Sequence, residues 1–235
     1  MNTDLFFNRT PQTPLPLFCT EHLATLMAVI LIVSALVLFA GKLRIPTRDR
    51  TARFSILAIL LAEQIARLTY RIFSNPQFNP AVDVPLQLCH FAELFCILYL
   101  LTLNRRVFSI VAFWGIIGNL AILVPAFQNH FPHIEIWIFF FGHLGMLATV
   151  AYGFFIREIR LQRRDLYTVL VLSALALTLI IPANLWLGAN YFYLMQPPPA
   201  LASLPAWLYW SGLATVYFSL VAGIYLLFRE KRHQP

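Results

Sequence analysis

One thiol and one imidazole in this 235-residue sequence are placed to act as a nucleophile and its base: Cys89 and His143. A thiolate attacks a carbonyl carbon, and an imidazole within reach generates it by taking the thiol proton. Cys96 follows Cys89 by two helical turns with no activating group in register, and His90 projects about 100° away from Cys89 around a helix. Polar and ionisable residues accompany the pair in otherwise apolar segments: Glu63, Gln64, Arg67 and Arg71, then Gln87 and Glu93, then Asn119 and Asn184. The third cysteine, Cys19, stands apart, so no disulfide framework is implied. His130 and His133 flank a proline in a short loop without the spacing of a zinc site, and neither a metal nor a cofactor is implied.

The elements that carry these residues follow from composition. Hydrophobic residues make up 60% of the chain, charged residues 11%, and the mean hydropathy is +0.72. A soluble domain carries roughly 25% charged residues; with so few charges, the bilayer has to solvate most of the exterior. Seven apolar runs of near-spanning length are expected to form an all-α polytopic bundle of seven transmembrane helices, at 23–41, 54–73, 84–103, 107–127, 134–156, 166–187 and 206–228. The whole chain reads as a single transmembrane domain. Before the first run stands one basic residue, Arg9, and the run is longer than a signal h-region, so it is expected to remain as a helix.

The basic residues set the expected orientation. Lys42, Arg44, Arg48, Arg50 and Arg53 follow the first run, Arg105 and Arg106 the third, Arg157, Arg160, Arg163 and Arg164 the fifth, and Arg229, Lys231 and Arg232 the last. The intervening loops, 74–83, 128–133 and 188–205, contain neither Lys nor Arg. This alternation predicts an outside N-terminus and a cytoplasmic C-terminus in a plasma (inner) membrane. It also accounts for the net charge of +7 without a nucleic-acid partner, which would require a solvated basic face. Membrane lipids are the implied partners; no soluble protein partner is implied, and the oligomeric state is unspecified.

Depth sorts the polar residues. With a rise of about 1.5 Å per residue, Cys89 lies roughly 8 Å, Arg67 about 9 Å, Asn119 about 12 Å and His143 roughly 13 Å below the outer boundary, with Asn184 at about 5 Å. Residues of this kind serve in many bundles as interhelical hydrogen-bond glue worth about 0.6 kcal/mol each. Glu63 and Arg67 also have the i,i+4 spacing of an intrahelical ion pair. Their common depth favours an outward-opening polar cavity, since ionisable groups in a membrane face the bundle interior or a wet space.

Four segments carry a family resemblance. VPLQLCHFAELF (84–95) resembles the Pro-Leu-His-Leu-Cys helix of the YwaF-type integral membrane family, which is related to transmembrane protein 164. FWGIIGNLAILVP (113–125) is similar to its Trp-Gly-containing fourth helix, FFGHLGML (140–147) to its histidine helix, and NLWLGANYFYLMQPPP (184–199) to its Leu-Gly-x-Asn-Tyr motif. The resemblance implies acyl transfer on membrane phospholipids, with Cys89 as nucleophile and His143 as base. The family commonly has a histidine two residues before the cysteine; here Gln87 stands there, able to hydrogen-bond but not to act as a base.

The expected function is therefore a Cys/His acyltransferase or lipid hydrolase forming a thioester on Cys89. Gln87, Asn119 and Asn184 are candidate oxyanion donors, Asn190 and Tyr191 would line the entrance, and Arg67 or Arg71 would hold phosphate. Glu63 and Glu93 complete the supporting network. The alternative is a non-enzymatic transporter or ligand sensor whose outward cavity is built on Glu63 and Arg67. Retinal chemistry is excluded, because the only lysines, Lys42 and Lys231, both lie in cytoplasmic segments.

Overall fold

The computed structural model describes residues 6–7, 16–73, 78–125, 129, 131–198 and 201–230. Arg9, His130, Lys231 and Arg232, used in the reading above, lie outside them. The described chain is all-α, with a single isolated bridge between Leu161 and Arg229. Its longer helices are α1 (Thr20–Leu38), α2 (Pro46–Phe73), α3 (Leu88–Thr102), α4 (Arg105–Gly118), α5 (Ile134–Ala151), α6 (Arg163–Leu187) and α7 (Ala206–Phe228). A 3-10 turn, Asn119–Ile122, prolongs α4, and a π turn, Tyr152–Ile156, prolongs α5.

Five of these are long and apolar enough to cross a membrane: α1, α4 and α5 with their extensions, α6 and α7. The other two depart from the expected runs for local reasons. α2 begins at Pro46 rather than at 54, because proline suits a first helical turn and Asp49 complements the helix dipole there. Its polar first turns make it longer and more charged than a plain span. α3 begins at Leu88 rather than at 84 and has only 15 residues. Pro85 holds Val84 extended (φ −71°, ψ 130°), and Gln87 is extended as the N-cap.

α3 and α4 form a tight antiparallel hairpin. Leu103 takes a left-handed conformation (φ 52°) and donates to the Tyr99 carbonyl at 2.7 Å, while the Asn104 side chain caps α4 by accepting from Arg106 N at 2.8 Å. α4 and α5 lie at the centre and are mostly buried, whereas α1, α6 and α7 bury little and turn Leu38, Leu185, Trp186 and Leu227 outward. That inside-out distribution suits a lipid exterior. The Ser173 hydroxyl joins α4, α6 and α7: it accepts from Trp114 Nε1 at 2.9 Å and from the Tyr217 hydroxyl at 2.5 Å.

The basic end is tied by ion pairs. Arg105 forks onto Asp165 at 2.8 and 3.2 Å, and Asp49 accepts from the Tyr152 hydroxyl at 2.8 Å and Arg157 at 3.1 Å. The π turn that presents Tyr152 also brings Gly153 against the Phe108 ring, which is itself wedged between Tyr99 and Phe154. Gly153→Ala forces that fully buried ring to move. The expected loss is about 1–3 kcal/mol, the usual overpacking cost, read as a lower thermal midpoint of the purified protein in detergent. An unchanged midpoint would show that the aromatic stack yields freely.

Candidate functional site

α2 presents its buried residues at three- and four-residue steps: Ile56, Leu60, Glu63, Arg67 and Tyr70. The stripe is that of any amphipathic helix facing a core, so Glu63 and Arg67 are carried inward by the same periodicity that buries Leu60. Arg67 Nε donates to Glu63 Oε1 at 2.7 Å, and Arg67 Nη2 pairs with both Glu63 and Glu93 of α3. Gln64 Nε2 donates to Glu93 at 2.8 Å and to Glu63 at 3.1 Å. The Glu63–Arg67 pair expected from spacing is thus the core of a two-helix network. α5 closes over it at Gly142, where an added Cβ would stand 2.5 Å from a Glu93 oxygen. Glu63, Glu93 and His143 are 3%, 1% and 1% exposed, so the polar set is packed and closed to solvent.

His143 follows Gly142 directly. Its Nδ1 lies 2.8 Å from the Phe139 carbonyl, and because a carbonyl only accepts, Nδ1 carries the proton and Nε2 the lone pair. Nε2 is buried with no hydrogen-bond partner, although the Gly118 carbonyl lies beside the ring. Gly118 in turn packs on Cys89: a Cβ there would meet Cys89 Cα at 3.4 Å and Cys89 Cβ at 3.7 Å. The end of α4 therefore sits between α3 and α5 and borders both the thiol helix and the imidazole. Cys89 occupies the first turn of α3, with the backbone N–H groups of Cys89 and His90 near its sulfur. A helix N-terminus favours negative charge, whether a thiolate or an oxyanion. No hydrogen bond joins Cys89 to His143 in this arrangement.

The other polar residues divide into committed and uncommitted groups. Asn184 clamps the loop after α6: its Nδ2 donates to the Tyr191 carbonyl at 3.0 Å, and its Oδ1 accepts from Tyr191 N at 2.7 Å. Asn190 is engaged with the backbone of Met195 and Gln196, and the Tyr191 hydroxyl with the Pro80 carbonyl at 2.6 Å. Arg71 donates to the Asp83 carbonyl, and His90 Nδ1 accepts from Gln87 N at 3.3 Å. These residues shape the rim. Gln87 accepts from Phe192 N at 3.0 Å through Oε1 and, as the N-cap of α3, from the His90 backbone N–H; no bond from its Nε2 is formed among the described residues. Arg67 Nη1 and Asn119 Oδ1 are buried without partners, although Asn119 Nδ2 donates to the Gly115 carbonyl at 2.6 Å. Cys96 packs in the core near Thr149, and His133 caps α5 by accepting from Glu135 N at 3.3 Å.

Sequence reasoning passed over three contributors. Gly142 acts by close approach and Gly118 by packing on Cys89, and their one legible signal is adjacency to His143 and Asn119. Tyr193 lies in the 184–199 segment beyond Asn190 and Tyr191, with nothing in the sequence to single it out. Phe192 and Tyr193 both adopt left-handed backbone (φ 59° and 53°), costing roughly 1–2 kcal/mol each, and the Tyr193 phenol lies within electrostatic reach of Cys89. Burial raises the Tyr193 phenol above its ordinary pKa, so it stays protonated at neutral pH.

A helical bundle with two buried central helices, apolar helices exposed around them and this enclosed polar centre is an integral membrane protein. The chain belongs to the TMEM164 family, whose model matches residues 17–228. No curated protein and no solved structure matches it. The network gives a direct expectation: Arg67→Met leaves two buried carboxylates facing each other and costs about 3–5 kcal/mol. Gln64→Leu, which removes a neutral donor to both carboxylates, costs less, about 1.5–3 kcal/mol. Thermal denaturation of both variants in the same detergent checks the order, and equal losses would refute it.

Proposed function

We propose that this protein is a phospholipid acyltransferase or lipid hydrolase of the Cys/His type, working in the outer half of a plasma membrane with its N-terminus outside. The observation that carries the reading is the sandwich Cys89–Gly118–His143. It sets a thiol in the first turn of α3 across the α4 terminus from an imidazole whose Nε2 lone pair has no partner. The resemblance of the cysteine and histidine segments to lipid acyltransferases supports it. Catalytic hydrogen bonds in substrate-free sites are often longer than in the reacting complex, so the missing Cys89–His143 bond fits a closed resting state.

In the reaction, His143 Nε2 takes the Cys89 proton and the sulfur adds to the carbonyl carbon of a phospholipid ester. The resulting oxyanion receives hydrogen bonds from the free Nε2 of Gln87 and from N–H groups of the first turn of α3. The ester C–O bond breaks, the glycerol oxygen takes the proton back from His143, and a thioester remains on Cys89. The hydroxyl of an acceptor lipid, or of water, then attacks the thioester, and the thiol is regenerated. Arg67 Nη1 is the donor available to the lipid phosphate. Asn184, Asn190 and Tyr191 hold the entrance loop rather than the substrate.

A second reading rests on a separate observation, the burial of two carboxylates against one guanidinium, an arrangement able to carry a proton in a transporter. One set of variants separates the two. With a thiol-reactive acyl-lipid probe and protein in native lipid, Cys89→Ala abolishes labelling and His143→Ala slows it by about 10²–10⁴-fold, the usual share of a general base. Glu63→Gln retains labelling. Equal labelling of wild type and Cys89→Ala, together with proteoliposome uptake lost in Glu63→Gln, would transfer the function to the carboxylate network.

Seven crossings with a cytoplasmic C-terminus are part of the same proposal. They are supported by the basic residues gathered at one end of the helices: Arg53, Arg105, Arg157 and Arg229. A fluorescent protein fused to the C-terminus is expected to resist an impermeant protease in intact cells and to be digested after permeabilisation. Digestion in intact cells would invert the topology.

A further inference from the structure

A cavity of about 360 Å³ opens at the basic end of the bundle, where the α3–α4 hairpin, the loop after α5 and Glu230, two residues beyond α7, meet. It is unrelated to the Cys89 site: Tyr99, on its wall, lies ten residues further along α3, about 15 Å away. Three arginines line it, Arg105, Arg157 and Arg160, together with Glu158 and Glu230.

The pairing of these charges shows what is spare. Arg105 is held by Asp165 and by the Arg160 carbonyl at 2.7 Å, and Arg157 by Asp49. Glu158 turns to Arg44 at 2.9 Å, and Glu230 accepts from Gln162 at 3.1 Å. The exposed Arg160 side chain makes no hydrogen bond or ion pair among the described residues. The Tyr99 hydroxyl is fully buried and also has no partner. A buried donor without an acceptor costs about 1–3 kcal/mol, and here it stands on the wall of a basic cavity. Glu158, at φ 54°, keeps a left-handed backbone on the rim, a strain of the kind that gathers at ligand clamps.

The geometry points to a binding site for a phosphate-bearing anionic headgroup, seated between Arg160 and the Tyr99 hydroxyl. Basic pockets at helix ends hold the headgroups of anionic lipids, and the volume lies near the lower end of small-ligand sites. That matches a phosphomonoester or phosphodiester headgroup and is small for a nucleotide cofactor. The site stands whether or not Cys89 is a nucleophile.

The test uses the full-length protein in phosphatidylcholine nanodiscs with and without phosphatidic acid, with inorganic phosphate and glycerol 3-phosphate as soluble arms. Retention of phosphatidic acid, read by native mass spectrometry, is expected to exceed that of phosphatidylcholine by about tenfold, equivalent to about 1.4 kcal/mol. Arg160→Gln and Tyr99→Phe each reduce this preference severalfold. Tyr99→Phe removes only a hydroxyl without a partner. In phosphatidylcholine alone it therefore leaves the thermal midpoint unchanged or higher, while abolishing the rise that phosphatidic acid gives the wild type. Saturable binding of inorganic phosphate or glycerol 3-phosphate, lost in the same variants and without lipid preference, supports the phosphate site with a soluble source. Equal retention of both lipids, with no soluble binding, overturns the proposal. So does a phosphatidic acid preference that survives in the Tyr99→Phe, Arg160→Gln double variant.

Discussion

Taking two carboxylates and a guanidinium out of water costs several kcal/mol per ion unless each charge meets a partner at close range. Arg67 meets that demand by reaching Glu63 on its own helix and Glu93 on α3, with Gln64 contributing to both carboxylates. The registers of α2 and α3 are consequently linked, because sliding either helix by one turn would strand a charge in an apolar medium. α5 can cover the network only where it has no side chain, at Gly142, and the next residue is His143. The position of the imidazole is thus a consequence of how the ionic centre is covered.

Small residues recur wherever helices come closest. Gly142 lets α5 close on Glu93, and Gly145 admits the Leu60 side chain of α2. In a bilayer, apolar burial does not drive helix against helix, so association depends on packing and polar contacts. The glycine contacts supply the packing, while the Arg67 network and the Trp114–Ser173–Tyr217 node supply polar bonds. The peripheral helices α1, α6 and α7, with few buried residues, are held by such points: His22 of α1, for example, is bonded to the Ile122 carbonyl at 2.9 Å.

The two ends of the molecule solve different problems. At the end holding Cys89, the loop after α6 is shaped by Asn184, Asn190 and Gln87 into consecutive left-handed residues, Phe192 and Tyr193. Three polar side chains are spent on holding this backbone geometry. At the basic end, arginines cap and bridge helix termini, as when Arg53 donates to the Leu101 carbonyl at 2.8 Å. There many of the charges sit close enough to neutralise one another, and of the three arginines lining the cavity Arg160 is the one whose side chain is not drawn into the pairing.

The all-α class, the membrane setting and the family follow from the sequence alone, because hydropathy, helical period and a few motif segments are local properties that tertiary contacts do not alter. The inward direction of Glu63, Arg67 and Glu93 was legible for the same reason, since charge in a bilayer must face the interior. Helix limits were less legible. Pro46 and Pro85 moved the starts of α2 and α3 through backbone preferences that an apolar count does not register. Tertiary structure alone decided which polar groups are spent and which are spare. Asn184, Asn190 and Asn119 look alike in sequence, yet the first two saturate on loop backbone while Asn119 keeps a buried Oδ1 free. Hydrogen-bond partners seven residues or a whole helix away are set by packing, and packing here turns on glycines, whose significance lies in what they allow to approach.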